Sequence, residues 1–172
     1  LGRPHIDVAL LLGASGLGSM IVALGMPKLL DSLPDRRVML TGGVALPFLL
    51  LATSGTIAWL EGTSQWVTLL ALWVLLGAGT STILTPSARL LRRNCTEQNR
   101  PAVFAAQFSL SHACFLITYP FAGALGAAIG LPAVALVLVA LGILGALFAL
   151  ITWQARPHLD AAAAERRAKA QH

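Results

Sequence analysis

The chain has 172 residues, of which 56% are apolar and 11% charged, with a formal net charge of +5. A soluble domain carries about 25% charged residues, so this composition excludes an ordinary soluble fold and, equally, a disordered chain. The two cysteines exclude a disulfide framework or a Cys-rich zinc site, and the low aromatic share fits membrane helices rather than a barrel with aromatic girdles.

Five apolar stretches follow in chain order, at 7–30, 38–60, 66–87, 102–127 and 131–154. Each reaches the ~20 residues a helix needs to cross a ~30 Å hydrocarbon core. The expected class is therefore an all-α, polytopic membrane protein. Pro34-Asp35 breaks the chain before the second span, and Glu61-Gly62-Thr63-Ser64 reads as the next turn. The stretch from Arg92 to Pro101 is the longest predicted linker, and Pro101 suits the first turn of the next helix. Gly130-Leu131-Pro132 reads as a tight hairpin. Residues 156–172 form a charged, Ala-rich tail, expected to be a short helix that could touch the membrane surface.

The basic residues alternate with the loops. Lys28, Arg36 and Arg37 flank the first, Arg89, Arg92, Arg93 and Arg100 flank the third, and Arg156, Arg166, Arg167 and Lys169 lie in the tail. Loops two and four have none. Cytoplasmic loops concentrate Lys and Arg, so the C-terminus is expected in the cytoplasm of a cell's inner or plasma membrane, with the N-terminus outside. The basic charge is thus a topology signal, and no nucleic-acid partner is expected. An outer N-terminus and an odd number of spans suggest a fragment or truncated reading frame whose upstream helices are missing.

Small residues punctuate the spans: Gly13, Ser15, Gly16, Gly18 and Ser19 in the first, Gly77, Gly79, Thr80 and Ser81 in the third, Gly123 and Gly126 in the fourth, Gly142 and Gly145 in the fifth. In lipid they let helix backbones approach closely. Trp59, Trp66 and Trp153 fall near span ends and read as interface anchors. Trp73 lies deeper, where it either lines a cavity or simply packs.

His112 is the clear ionisable residue inside a span. It lies about eleven residues, or roughly 16 Å, into the fourth span, close to the membrane midplane. Gln107, Ser111, Cys114 and Thr118 share one helical stripe, and His112 and Tyr119 a neighbouring one. This polar arc calls for protein or water against it, because lipid would leave its donors unpaired. Two readings stand for His112: a protonatable or substrate-binding group on a water-accessible path, or a neutral histidine bonded between packed helices. Cys95 and Cys114 fall at different depths and read as unpaired thiols. No metal or cofactor motif is present.

The segment Lys28-Leu29-Leu30-Asp31-Ser32-Leu33-Pro34-Asp35-Arg36-Arg37 resembles the cytoplasmic loop motif Gly-x-x-x-Asp-Arg-x-Gly-Arg-Lys/Arg of the major facilitator superfamily, in a degenerate copy with Pro27 in place of the leading Gly. Gly77-Ala78-Gly79-Thr80 through Thr85-Pro86 and Arg89 resembles that family's tenth helix, and Tyr119-Pro120-Phe121-Ala122-Gly123-Ala124-Leu125-Gly126 the Gly/Pro-rich end of its eleventh. The five spans would then be helices eight to twelve, a C-terminal bundle. The resemblance implies a secondary transporter working by alternating access on a small molecule, with an N-terminal bundle as partner; the last segment leans toward export, and proton coupling is the expected drive, with His112 contributing to coupling or substrate binding. It implies that Asp31, Asp35, Arg36, Arg37 and Arg89 form a cytoplasmic gate, with Asp31 pairing with Arg89 or Arg36, unless these charges only set topology. Asp35 sits where a helix N-cap is expected. His112, Gln107, Ser111, Tyr119 and Trp73 would border the substrate path or couple protons.

Two other classes compete. Gly13-Ala14-Ser15-Gly16 has the Gly-x-Ser-Gly form of an intramembrane serine protease, with His112 as base, which requires the two side chains within hydrogen-bond reach. A non-transporting membrane subunit, or a truncated remnant, is the third.

Overall fold

The computed structural model describes residues 5–153. Five helices occupy them: α1 (His5–Ser32), α2 (Asp35–Trp59), α3 (Gly62–Asn94), α4 (Arg100–Ile129) and α5 (Leu131–Trp153). All five are long and apolar enough to cross a membrane. The predicted tail at 156–172, with its basic residues, lies outside the described residues, as do Leu1–Pro4.

The five predicted spans are all present, but their ends differ. α3 continues to Asn94, through Arg89, Arg92 and Arg93, so the predicted ten-residue linker shrinks to residues 95–99. Apolar length measures only the part of a helix that lies in hydrocarbon. At 1.5 Å per residue the 33 residues of α3 span about 50 Å, and arginines in its last turn complement the negative end of the helix dipole. Its start is also earlier than expected. Gly62 opens the helix with φ +63, a conformation that costs glycine little, and Ser64 Oγ donates to the Glu61 carbonyl at 2.9 Å. The short connector before α4 is locked reciprocally: Thr96 N donates to Asn99 Oδ1 and Asn99 N to Thr96 Oγ1.

α3 is the axis of the bundle. α1 and α2 pack along it most extensively, α5 packs on α2, and α4 meets α5 while only grazing α3. α1 and α3 run parallel, because Ser19 meets Gly77 near mid-span and Leu30 meets Arg89 at one end. α2 runs antiparallel to α3, with Asp35 beside Arg93 and Gln65 Nε2 donating to the Ile57 carbonyl at the other end. The short loops oblige this up-and-down path, and it brings Lys28, Arg36, Arg37, Arg89, Arg92, Arg93 and Arg100 to one end of the bundle. Trp153 borders a cavity with Met39, so α5 finishes at that same basic end.

The α1–α3 seam is held by backbone. A Cβ added at Gly18 would strike the Val74 carbonyl, and one added at Gly77 would strike the Ser15 carbonyl. Ser19 Oγ donates across the seam to the Gly77 carbonyl at 2.8 Å. Gly42 does the same work between α2 and α3, against Thr82 and Gly79. Gly142 of α5 is a notch for the ring of Pro47. Gly13, Gly16, Gly123 and Gly145 face open space instead. A side-chain core is small and lies toward the basic end, where Met26, Leu30 and Val38 close on one another with Val22 alongside.

Candidate functional site

Two groups of predicted site residues occupy different places. The first is the basic end. Asp35 is the first residue of α2, and its N-cap is Pro34, with no side-chain cap bond. The expectation of Asp35 as N-cap is therefore corrected. Pro34 starts the helix through its fixed φ, and its carbonyl accepts from Arg37 N at 2.9 Å. The Asp35 carboxylate, freed from capping, turns to α3. Arg93 Nη1 donates to Asp35 Oδ2 at 3.2 Å, and Arg89 Nη1 lies 3.6 Å from Oδ1. The carboxylate is only 11% exposed, so these pairs are less screened than surface ones.

Arg89 Nη1 also donates to the Leu30 carbonyl at 3.3 Å, one of the orphan acceptors at the end of α1. One guanidinium thus ties the end of α1 and the start of α2 to α3. This corrects the expected pairing of Asp31 with Arg89 or Arg36. Asp31 is exposed and has no ion pair among the described residues. The reason is placement: Asp35, at the start of α2 beyond the break at Leu33-Pro34, faces α3, while Asp31, in the last turn of α1, is exposed. Arg37 is exposed, and Arg36 is half-buried with its Nε unpaired.

The second group lies along α4, which has no buried residue. Gln107 and Ser111 border a seam of about 380 Å³ shared with Leu84, Ser87 and Leu91 of α3. His112 and Tyr119 border the next face, a concavity of about 640 Å³ lined by α4 residues alone. Here the sequence reading missed two members. Phe108 stacks on His112 with ring centroids 3.8 Å apart, Phe115 meets His112 edge-on at 5.8 Å, and Phe115 stacks on Tyr119 at 5.4 Å. The signal was available, since rings at i, i+4, i+7 and i+11 share a helical face. Trp73 is half-buried on α3 and takes no part in this ladder.

The polar arc is also better satisfied than expected. Ser111 Oγ donates to the Gln107 carbonyl at 2.9 Å and Thr118 Oγ1 to the Cys114 carbonyl at 2.6 Å. Hydroxyls that bond back to their own helix need no neighbour, which corrects the argument that lipid would leave these donors unpaired. His112 Nδ1 lies 2.9 Å from the Phe108 carbonyl. A carbonyl can only accept, so the neutral ring carries its proton on Nδ1 and keeps a lone pair on Nε2. Nε2 and the Tyr119 hydroxyl have no hydrogen-bond partner among the described residues.

Ser15 and His112 are not brought together. Ser15 lies in the α1–α3 seam, α1 and α4 are not a packed pair, and no hydrogen bond joins the two side chains. Cys95 and Cys114 are free thiols.

No curated protein and no solved structure matches the chain. The family model of the Major Facilitator Superfamily matches residues 1–171. With five long apolar helices running up and down, the chain belongs to that superfamily of membrane transporters.

Proposed function

We propose that these five helices are helices eight to twelve, the C-terminal part of a secondary transporter that works by alternating access, exporting a small molecule in exchange for protons. An N-terminal helical bundle is the partner against which they rock, and the basic end faces the cytoplasm. The observation that carries this reading is the uncovered face of α4. His112 sits near the middle of that helix with Nδ1 held by the Phe108 carbonyl and Nε2 unclaimed. Such a ring can take a proton at Nε2 without breaking the bond that orients it. An imidazole can accept and release a proton at its free nitrogen, so it suits a group that is loaded from one side and emptied to the other. Phe108, Phe115 and Tyr119 then give the path an aromatic wall with one hydroxyl, suited to an amphipathic solute. Gln107 and Ser111 flank it, and Trp73 lies on the helix that would face the central cavity.

At the basic end, Asp35 and Arg89 act within the bundle and make its three helix ends move as one body. The exposed Asp31 and Arg37, together with Arg36, are left to meet the partner bundle as the gate.

The test is transport by the assembled protein in proteoliposomes across about pH 5.5–8. His112→Ala is expected to abolish the dependence of transport on the proton gradient, and His112→Gln to keep binding while losing the coupling. Normal coupled transport by His112→Ala would overturn the role of His112. Asp31→Asn is expected to change the accessibility of the cytoplasmic side to a thiol reagent. Unchanged rates and accessibility would leave Asp31 outside the gate.

A further inference from the structure

Besides the α4 face, the basic end holds a crevice of about 710 Å³ between α3 and α4, bordered by Arg89, Arg92, Arg93, Arg100 and Phe104. Its charge is unbalanced. Asp35 is paired with Arg89 and Arg93, while Arg92 and Arg100 have no carboxylate partner among the described residues. Four guanidiniums therefore share one carboxylate. Glu97 of the connector does not border the crevice. Arg100 Nε is buried without an acceptor, an unsatisfied donor of the kind that folded proteins rarely leave. Arg100 also opens α4, so the positive end of that helix dipole adds to the field.

The crevice continues along the helices, away from the basic end. It shares Ala88 and Phe104 with the α3–α4 seam of about 380 Å³, whose wall is mostly apolar, with Leu84, Leu91 and Phe108, and carries Ser87, Gln107 and Ser111 besides. A basic mouth thus opens onto an apolar groove that runs along the helices. The mouth lies on the extension of α3 beyond its apolar stretch, where a bilayer matched to that stretch would place its headgroups, and the groove lies beside the apolar stretch itself. Basic pockets between membrane helices on the cytoplasmic side suit phosphate headgroups, and planar guanidiniums bind phosphate oxygens in pairs.

We propose that this crevice and groove form a binding site for an anionic phospholipid, its headgroup phosphate held by Arg92 and Arg100 and one acyl chain lying in the α3–α4 seam. Arg89 and Arg93, already paired to Asp35, contribute field more than bonds. A free phosphate ion would use the same arginines but leave the groove empty. Occupancy by the lipid would fill the gap that α4 leaves where it only grazes α3, and so fix α4 against the rest of the bundle.

The test is native mass spectrometry of the protein released from nanodiscs of phosphatidylcholine with phosphatidylglycerol. The wild-type protein is expected to retain phosphatidylglycerol. Arg92→Gln with Arg100→Gln should weaken retention about fivefold per arginine and roughly 25-fold for the pair. Arg37→Gln removes one charge from the same end but outside the crevice, as many as either single crevice variant, and should leave retention nearly unchanged. A loss from Arg37→Gln equal to that from Arg92→Gln or Arg100→Gln alone would mean a diffuse surface potential and overturn the site. Should the double variant fail to fold, a wild-type measurement stands alone. Phosphatidylglycerol with a photoreactive group on its acyl chain is expected to label Leu84, Leu91 and Phe108, and labelling spread evenly over all five helices would overturn the proposal. Inorganic phosphate is the second arm: binding of phosphate with no preference for the anionic lipid would overturn the lipid assignment.

Discussion

Along the α1–α3 seam, backbone meets backbone, with Gly18 against the Val74 carbonyl and Gly77 against the Ser15 carbonyl. Along α4, no residue is buried and the glycine at 123 faces open space. Glycines stand in all three helices, including Gly18 in α1, Gly77 in α3 and Gly123 and Gly126 in α4, so their presence alone does not separate the seam from α4. The difference lies in what the small residue faces. Where two helices in lipid have no hydrophobic drive to associate, they associate by van der Waals packing, and only a glycine pair lets the seam close completely. α4 has the glycines but spends its side chains on a ring ladder, which holds a histidine in place at the cost of close packing.

Four substitutions and one control sharpen this contrast, from the largest effect to the smallest. Gly77→Val would force a side chain into the Ser15 backbone, which cannot yield as a flexible side chain can. A loss of about 3 kcal/mol, the upper end of overpacking costs, is expected, read as a lowered unfolding midpoint in detergent. A wild-type midpoint for this variant would mean the seam is not the rigid part of the fold. Asp35→Asn removes the charge that Arg89 and Arg93 share. Hydrogen bonds to charged groups contribute about 1.5–3 kcal/mol, and the 57% exposure of Arg93 places the effect at the lower end. Thiol-accessibility at a cysteine introduced in the α1–α2 loop would report the loosening, and no change would show that the tie between the three helix ends carries no stability.

Gly123→Ala acts with the opposite sign. With nothing within 4 Å of the added Cβ, relief of glycine's entropic cost in a helix should stabilise by about 0.5–1 kcal/mol. A loss instead would mean that another helix closes on α4 at that position. Ser19→Ala removes one hydrogen bond across the α1–α3 seam, worth about 0.6 kcal/mol inside a membrane bundle. Thr118→Ala on α4 is its control, because its hydroxyl bonds only its own helix, and it should change stability by less than Ser19→Ala in the same thermal assay.

The number of helices, their order and their alternation were legible in the sequence because bilayer thickness imposes a minimum apolar length on every span. The clustering of arginines at one end was legible for a related reason: short loops force successive helices to reverse direction. The helix ends were not legible, since nothing in apolar length records how far α3 runs beyond hydrocarbon. The candidate site was half legible. His112 stood out as an ionisable group in an apolar run, whereas Phe108 and Phe115 were lost among other apolar residues until their rings were seen to stack on it.

The pairing of charges was decided by tertiary structure alone. Sequence spacing places Asp31 and Asp35 equally near the same arginines, and the motif resemblance favours Asp31. Only the turn at Leu33-Pro34 and the register of α2 against α3 give Arg89 and Arg93 to Asp35. The glycines divide in the same way. The sequence determines where backbones are able to approach, and the packing of α1 and α2 on α3 decides that Gly18, Gly42 and Gly77 are the places where they do. Covalent order sets the direction and depth of each helix. The rotation of a helix about its own axis is set by its neighbours, and that rotation chooses which of several chemically equivalent residues meet.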